Sequence, residues 1–261
     1  MNKAVSRPRR QPSKLKPIFL WLNKYKLPNT LFQRISRGYA EANDAVLAFY
    51  SDDTDPDAKK RRALRTARRI KSETGFLLSH GEACQLSALV DATAKIEGDT
   101  AEVGVYNGGS AKIICEVKGD KPLHLFDTFE GIPEVEEIDK GKFVAGDWTA
   151  SLETVMSYLR DYPNVFFYKG IFPTTAKPVE GKTFSFVHLD VDTYKSTLSC
   201  LEFFYPRMSA GGIILSHDYS YASGVTKAFD EFFEKRLEPI ISLTGTQCLI
   251  MKLRYGEVQK L

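Results

Sequence analysis

The sequence has few of the residues that staple a fold or span a bilayer. Its four cysteines, Cys84, Cys115, Cys200 and Cys248, are far apart, and no pair has zinc-ligand or redox spacing. Each sits in an apolar, regular stretch, which reads as a buried free thiol in a reducing compartment. No apolar run approaches the ~20 residues needed to cross a membrane. The stretch Ile18-Phe19-Leu20-Trp21-Leu22 is short and runs into Asn23-Lys24-Tyr25-Lys26 without a small-residue cleavage site. A secretory signal is therefore not expected, and the cytoplasm is the expected compartment. There is no long internal repeat. What is present is an ordinary globular composition, 43% hydrophobic and 12% aromatic over 261 residues. That supports one large α/β domain with an extension.

The net charge of +3 conceals an asymmetry. Residues 1–70 hold 17 Lys or Arg against 6 Asp or Glu, so the rest of the chain is net negative. The basic residues cluster at Arg7, Arg9, Arg10, Lys14 and Lys16, and again at Lys59-Lys60-Arg61-Arg62. Such clusters suit nucleic acid or an anionic membrane, but a solvated face is the commoner reason for them. The second cluster continues through Leu64, Ala67, Arg68 and Ile70 at helical spacing, which predicts a basic amphipathic helix packed on the main domain. Residues 1–15, with Pro8 and Pro12, read as a mobile tail. Residues 17–50 read as two or three helices, and the acidic turn 51–57 as a cap for the next. The expected division is a basic, mostly helical extension at 1–72 and a larger domain at 73–261.

From residue 82 the pattern changes. An amphipathic helix is expected over 82–97, and short apolar runs then alternate with helical segments. The strand candidates are 100–106, 123–126, 165–169, 184–190, 212–216, 239–243 and 248–253. Helix candidates at 109–118, 151–160, 194–205 and 224–236 separate most of them. Repeated β-α units imply a parallel sheet covered on both faces. The last two strands are joined only by Thr244-Gly245-Thr246-Gln247, so the final strand should run antiparallel. A Rossmann-like, seven-stranded, mostly parallel sheet with a terminal hairpin results. Its ligand belongs at the carboxyl ends of the strands, near the topological switch point.

Four stretches carry chemistry. Glu102-Val103-Gly104-Val105-Tyr106-Asn107-Gly108-Gly109-Ser110 links the first strand to a helix. Glycine permits a sharp turn and a close ligand there, but Tyr106 breaks the Gly-x-Gly-x-x-Gly fingerprint of a dinucleotide site. Asp127, followed by Thr128 at the end of the second strand, can accept hydrogen bonds from ribose hydroxyls. Asp147-Trp148 suits an adenine, with a ring to stack and a carboxylate to meet the amino group. Finally, Asp190 ends the fourth strand and His217-Asp218 the fifth, so adjacent parallel strands should bring all three together. Two carboxylates and an imidazole can hold a divalent ion or act as a general-base system. Strand alternation turns Asp192 away from this group, toward capping the next helix. His188 and His124 lie inside strand patterns and read as structural. His80 is expected in a loop.

Together these stretches resemble the macrocin O-methyltransferase family, over about Thr74 to Leu253. The most specific pieces are Glu102–Ser110, Leu125–Pro133, Val187–Tyr194, Tyr205-Pro206-Arg207 with Gly211-Gly212, and Asp230-Glu231-Phe232. The resemblance implies a class I methyltransferase fold that binds S-adenosylmethionine (SAM) and methylates a sugar hydroxyl. It implies that Thr74 and Gly75 close over SAM and that Glu102 and Ser110 contact its amino-acid end. Asp127 would take the ribose, and Asp147 with Trp148 the adenine. Gly104, Tyr106, Thr128 and Asp190 complete the expected cofactor set. In such a family Asp190 and an Asp-Asp pair hold Mg2+; here the pair is His217-Asp218, a neutral nitrogen in place of one hard anion.

The expected reaction is direct methyl displacement, with Asp190 or His217 as base. The expected partners are a small-molecule hydroxyl acceptor and a second copy, docked through the N-terminal helices. A nucleic-acid substrate is disfavoured because no Asn-Pro-Pro-Tyr-like base-flipping signature occurs. An NAD-dependent oxidoreductase and a non-catalytic SAM-binding or assembly protein are the rival readings. The acidic Gly131–Gly146 loop, with Glu134, Glu136, Glu137 and Asp139, is expected to be a mobile lid.

Overall fold

The computed structural model describes residues 58–254. The predicted tail, the helices over 17–50, the acidic turn and the helices of the expected dimer contact lie outside these residues. The first described element, α1 (Ala58–Thr74), is the predicted basic amphipathic helix. It buries Leu64, Ala67 and Ile70 and runs across the expected boundary at residue 72. Next come α2 (His80–Ala92), β1 (Asp99–Val103), α3 (Gly109–Cys115), β2 (Leu123–Asp127), α4 (Leu152–Leu159) and β3 (Val165–Lys169). Then follow β4 (Phe184–Leu189), α5 (Tyr194–Phe204), β5 (Met208–Ser216), α6 (Ser223–Phe233), β6 (Ile241–Ser242) and β7 (Cys248–Met251).

Strand order is β3-β2-β1-β4-β5-β7-β6. The first five strands pair in parallel, and β7 is antiparallel to β5 and β6. The predicted α/β sheet with its terminal hairpin is therefore what forms. Two apolar cores cover its faces. Ala101, Val103, Phe126, Val187, Leu189 and Ile214 point to one side, under α5 and α6. Leu123, Leu125, Phe186, Ile213 and Leu215 point to the other, under α1, α2, α3 and α4. This is the period-2 alternation of a strand buried on both faces. A bulge between Phe184 and Phe186 shifts the phase, so Phe184 and Val187 share a core. The sheet order reverses between β1 and β4, and the chain leaves these two neighbours toward opposite faces of the sheet, into α3 and α5. That split opens the crevice in which such folds bind ligands.

Helix α2 begins two residues earlier than its apolar spacing implies. Ser79 caps it and accepts from Glu82 N, while the Glu82 carboxylate accepts from Ser79 N at 2.9 Å. The cap makes His80 the first helical residue instead of a loop residue. Cys115, Cys200 and Cys248 are buried, and none of the four cysteines is disulfide-bonded, as their scatter implies. His124 bonds Asp99 at 2.9 Å and Tyr168 at 3.0 Å, and His188 bonds Glu102 at 2.8 Å, so both imidazoles serve the fold. Among the described residues no helix is long and apolar enough to cross a membrane.

The C-terminal end of α1 is fixed by two carboxylates. Glu73 accepts from Lys112 Nζ at 2.9 Å and Tyr158 Oη at 2.6 Å. Glu116 accepts from Arg69 at 2.6 Å and Tyr162 Oη at 2.6 Å. Burial favours the neutral acids, but these donors outweigh it and hold both groups below the usual carboxylate range. Stability gained this way is complete above the unfolded pKa and is lost as pH falls through the lowered folded values. Below about pH 4.3, the ordinary glutamate value, the docking of α1 should loosen before the sheet does. Hydrogen exchange of residues 58–74 across pH 3 to 6, corrected for intrinsic rates, measures this. Protection that ignores pH, or that falls equally in wild type and Glu73→Gln, would refute it.

Candidate active site

A single cavity of about 590 Å³ lies at the carboxyl ends of β1, β2, β4 and β5. Its size is that of a small-molecule site. One wall is the glycine loop. Gly104 turns at φ +87°, and a Cβ there would sit 1.8 Å from the Asp190 backbone oxygen. Only glycine lets the end of β1 pass this close to the end of β4. Tyr106 also has positive φ, +47°. The loop is clamped from the side by Asp127, whose Oδ2 accepts from Val105 N at 2.6 Å and Tyr106 N at 2.9 Å. Its Oδ1 accepts from Phe129 N at 2.6 Å. Asp127 thus shapes the loop as well as facing the cavity.

Gly104, Tyr106, Ser110, Asp127, Thr128, Asp147, Trp148, Asp190, His217 and Asp218 all line the cavity. Trp148 stands edge-on to Tyr106 at 5.8 Å, and Asp147 Oδ2 accepts from Val144 N at 2.9 Å. Three expected residues are not on the wall. Glu102 is fully buried beneath the loop and paired with His188 at 2.8 Å, and burial raises its pKa. It supports the loop from below. Thr74 and Gly75 stand behind the wall, with Thr74 Oγ1 donating to Asn107 O at 3.3 Å. The following residues, Phe76 to Ser79, form the wall instead.

Strand ends gather the charged group as expected. His217 Nδ1 lies 3.1 Å from Asp190 Oδ1 and 3.2 Å from Asp218 Oδ1. Backbone bonds set this register: Asp190 N donates to Val103 O at 2.9 Å and His217 N to Leu189 O at 2.8 Å. Two further carboxylates join them. Asp192 does not cap α5; Thr193 holds that position and Asp192 lines the cavity. Alternation fails because β4 ends at Leu189, and Asp192 adopts φ +62°, which swings it back. Glu82 arrives from α2, with Oε1 3.6 Å from His217 Nε2.

These neighbours set the charges. Burial alone would neutralise His217, but Asp190 and Asp218 outweigh it and push the imidazole pKa well up. Burial likewise opposes charge on Asp190 and Glu82, yet His217 holds both below the usual carboxylate range. Asp192 goes the other way, since burial and the nearby Asp190 and Asp218 push it well above that range. These neighbours favour the protonated imidazole at His217 and the neutral acid at Asp192.

The loop expected to be a mobile lid is stitched to the body. Asp139, buried, accepts from Tyr194 N at 3.0 Å, and Lys142 donates to the Tyr221 carbonyl. Ile132 and Asp147 close its base through a 2.9 Å bond. Gly224 makes room for Asp139, since a Cβ there would meet Oδ1 at 2.0 Å.

A mixed seven-stranded sheet with this switch-point cavity is the architecture of the class I methyltransferases. The macrocin O-methyltransferase (TylF) family model matches residues 80–247, and the chain belongs to that family. Over 221 residues it is 28% identical to 8-demethyl-8-(2,3-dimethoxy-alpha-L-rhamnosyl)-tetracenomycin-C 4'-O-methyltransferase of Streptomyces olivaceus, covering 78% of this chain and 80% of the relative. The structure of the O-methyltransferase NovP superposes with a TM-score of 0.56 at 23% identity, over 65% of this chain and 78% of that one. An O-methyltransferase of Bacillus cereus, solved in complex with SAH, superposes with a TM-score of 0.53 at 12% identity, over 83% of this chain and all of the other.

Proposed function

We propose that this chain is a SAM-dependent O-methyltransferase acting on a hydroxyl of a small molecule, a sugar or a glycosylated natural product. The observation that carries the reading is the meeting of two features in one cavity. The glycine loop with Asp127 forms one wall, and the Asp190–His217–Asp218 group forms the floor. The sugar-hydroxyl acceptor named for the Streptomyces olivaceus relative supports the substrate class.

When bound, SAM supplies an electrophilic methyl group to the acceptor oxygen. Gly104, Tyr106, Ser110, Asp127 and Thr128 would hold it along the loop, with Asp147 and Trp148 at its adenine. Ile132, Phe143, Phe172 and Tyr221 give the remaining wall an apolar, aromatic character suited to the face of a sugar or its aglycone. Alignment of donor and acceptor supplies most of the acceleration. Asp190, which His217 holds below the usual carboxylate range, would take the proton of the acceptor hydroxyl. His217, whose pKa Asp190 and Asp218 push up, is the weaker choice as base.

The same three residues suit a divalent cation. Their donor atoms all lie within 4.8 Å of one another. His217 Nδ1 is buried and has no hydrogen-bond partner, although two carboxylate oxygens lie just beyond 3 Å from it. Donors that crowd together without bonding one another are what a ligand set requires. An ion held there would lower the pKa of a ligating hydroxyl.

Calorimetry tests the cofactor cheaply. SAM and its demethylated product should bind the purified chain, and NAD should not. Transfer of a labelled methyl group from SAM to a panel of free and glycosylated sugars then tests the acceptor class. NAD binding in place of SAM would turn the reading toward an oxidoreductase. SAM binding without transfer to any acceptor would favour a non-catalytic role.

A further inference from the structure

Building on the methyltransferase reading, we infer that the floor of the cavity is a nitrogen-and-oxygen seat for a borderline transition cation, of the manganese, cobalt, nickel or zinc class. Magnesium is the poorer occupant, and Glu82 is the positioning residue that makes the difference. The first ground is donor chemistry. Asp190 and Asp218 contribute anionic oxygens, but the third donor is an imidazole nitrogen. Magnesium takes oxygen ligands almost exclusively and keeps its waters. Imidazole suits later first-row ions, whose affinity rises along the Irving–Williams order.

The second ground is the orientation of the ring. Nδ1 faces Asp190 and Asp218 at 3.1 and 3.2 Å, while Nε2 faces Glu82 Oε1 at 3.6 Å on the opposite side. Glu82 sits behind the imidazole at ion-pair distance, just beyond a hydrogen bond to Nε2, on the side from which a carboxylate orients a metal-bound histidine and raises its basicity. Glu82 is not free to turn away. Its Oε1 accepts from Thr246 N and Thr246 Oγ1, both at 2.9 Å, and its Oε2 accepts from Ser79 N at 2.9 Å and Ser79 Oγ at 2.7 Å. Residue 245 must be glycine for this, since a Cβ there would meet Glu82 Oε1 at 2.5 Å. The hairpin loop and the start of α2 are thus built around one carboxylate aimed at the back of His217. His217 and Glu82 are both almost wholly buried, so solvent does not replace either partner.

The full chain, stripped with a chelator, is titrated with Co2+, Mn2+ and Mg2+ in turn. Cobalt should produce visible ligand-field absorption with one ion per chain and bind at least about 100-fold more tightly than magnesium. His217→Asp should weaken cobalt and strengthen magnesium, closing most of that gap, and should change the cobalt spectrum as nitrogen is lost. Glu82→Gln should weaken cobalt about 10- to 100-fold with the nitrogen band retained. If either variant fails to fold, the wild-type affinities and spectrum decide the matter alone. Magnesium binding as tightly as cobalt, no ion binding at millimolar concentration, or a cobalt spectrum unchanged by His217→Asp would each overturn the inference. SAM affinity, measured on the same preparation, keeps the two readings apart. SAM binding without the metal preference defeats this inference alone, whereas loss of SAM binding defeats the methyltransferase reading.

Discussion

Asparagine in place of Asp190 is expected to reduce methyl transfer by about 10²- to 10⁴-fold, the usual worth of a positioned general base. The substitution keeps shape and volume, and the backbone bond from residue 190 N to Val103 O is untouched. What disappears is the anion that takes the hydroxyl proton and faces His217 at 3.1 Å. SAM affinity should change by less than about threefold, because the loop and Asp127 keep their bonds. The loss should therefore fall on kcat and not on cofactor binding. Single-turnover transfer with calorimetry on the same protein separates the two. Full activity in the variant would remove Asp190 from the proposed mechanism.

Alanine at Gly104 should be the most damaging one-carbon change in the site. Its Cβ would lie 1.8 Å from the Asp190 oxygen and 2.7 Å from the Asp190 carbonyl carbon, and the backbone φ is +87°. Neither obstacle is a flexible side chain. Relief requires the end of β1 to move from the end of β4, which breaks the paired register Val103↔Leu189. Overpacking costs about 1–3 kcal/mol or more, and the left-handed backbone adds about 1–2 kcal/mol. A combined loss of about 2–5 kcal/mol lowers Tm by about 4–20 °C for a domain of this size. Gly119→Ala is the control. It also has positive φ, +60°, but a Cβ there meets nothing within 4 Å, so only the smaller backbone cost remains. Equal melting points for the two variants would show that the close approach is not what fixes the glycine.

The two substitutions test one design from opposite sides. β1 and β4 must come close enough to set the glycine loop beside the carboxylate cluster, and only a residue without a side chain allows it. The same economy recurs where Gly224 admits Asp139 and Gly245 admits Glu82. In each case a carboxylate that organises a loop fills the space a Cβ would take.

Local pattern carried much of this. Short apolar runs separated by helical spacing predict the strands to within a few residues, because the central strands β1, β2 and β4 are buried on both faces. The strand ends at Asp190 and at His217-Asp218 predict the cluster, because parallel neighbours put equivalent ends side by side. Predictions failed where the chain left its regular element. Alternation carried past Leu189 points Asp192 outward, yet the strand has already ended and a positive φ turns the residue in. Four acidic residues in 131–146 suggest a loose lid, yet Asp139 is buried under a glycine and holds the loop down. Thr74, Gly75 and Glu102 were expected to touch the cofactor. A shift of one or two residues along the chain, or one layer down in the sheet, puts them behind the wall.

By itself, then, the sequence determined the sheet, its terminal hairpin, the glycine loop and the convergence of three charged residues, because each follows from periodicity or from adjacency of strand ends. Only the tertiary structure decided what surrounds His217. Glu82 lies far from it along the chain and reaches it through a helix cap that no strand pattern encodes. Whether an imidazole is a base, a cation or a ligand depends on the acidic groups packed around it, and those come from three separate places in the chain: Glu82, Asp190 with Asp192, and Asp218.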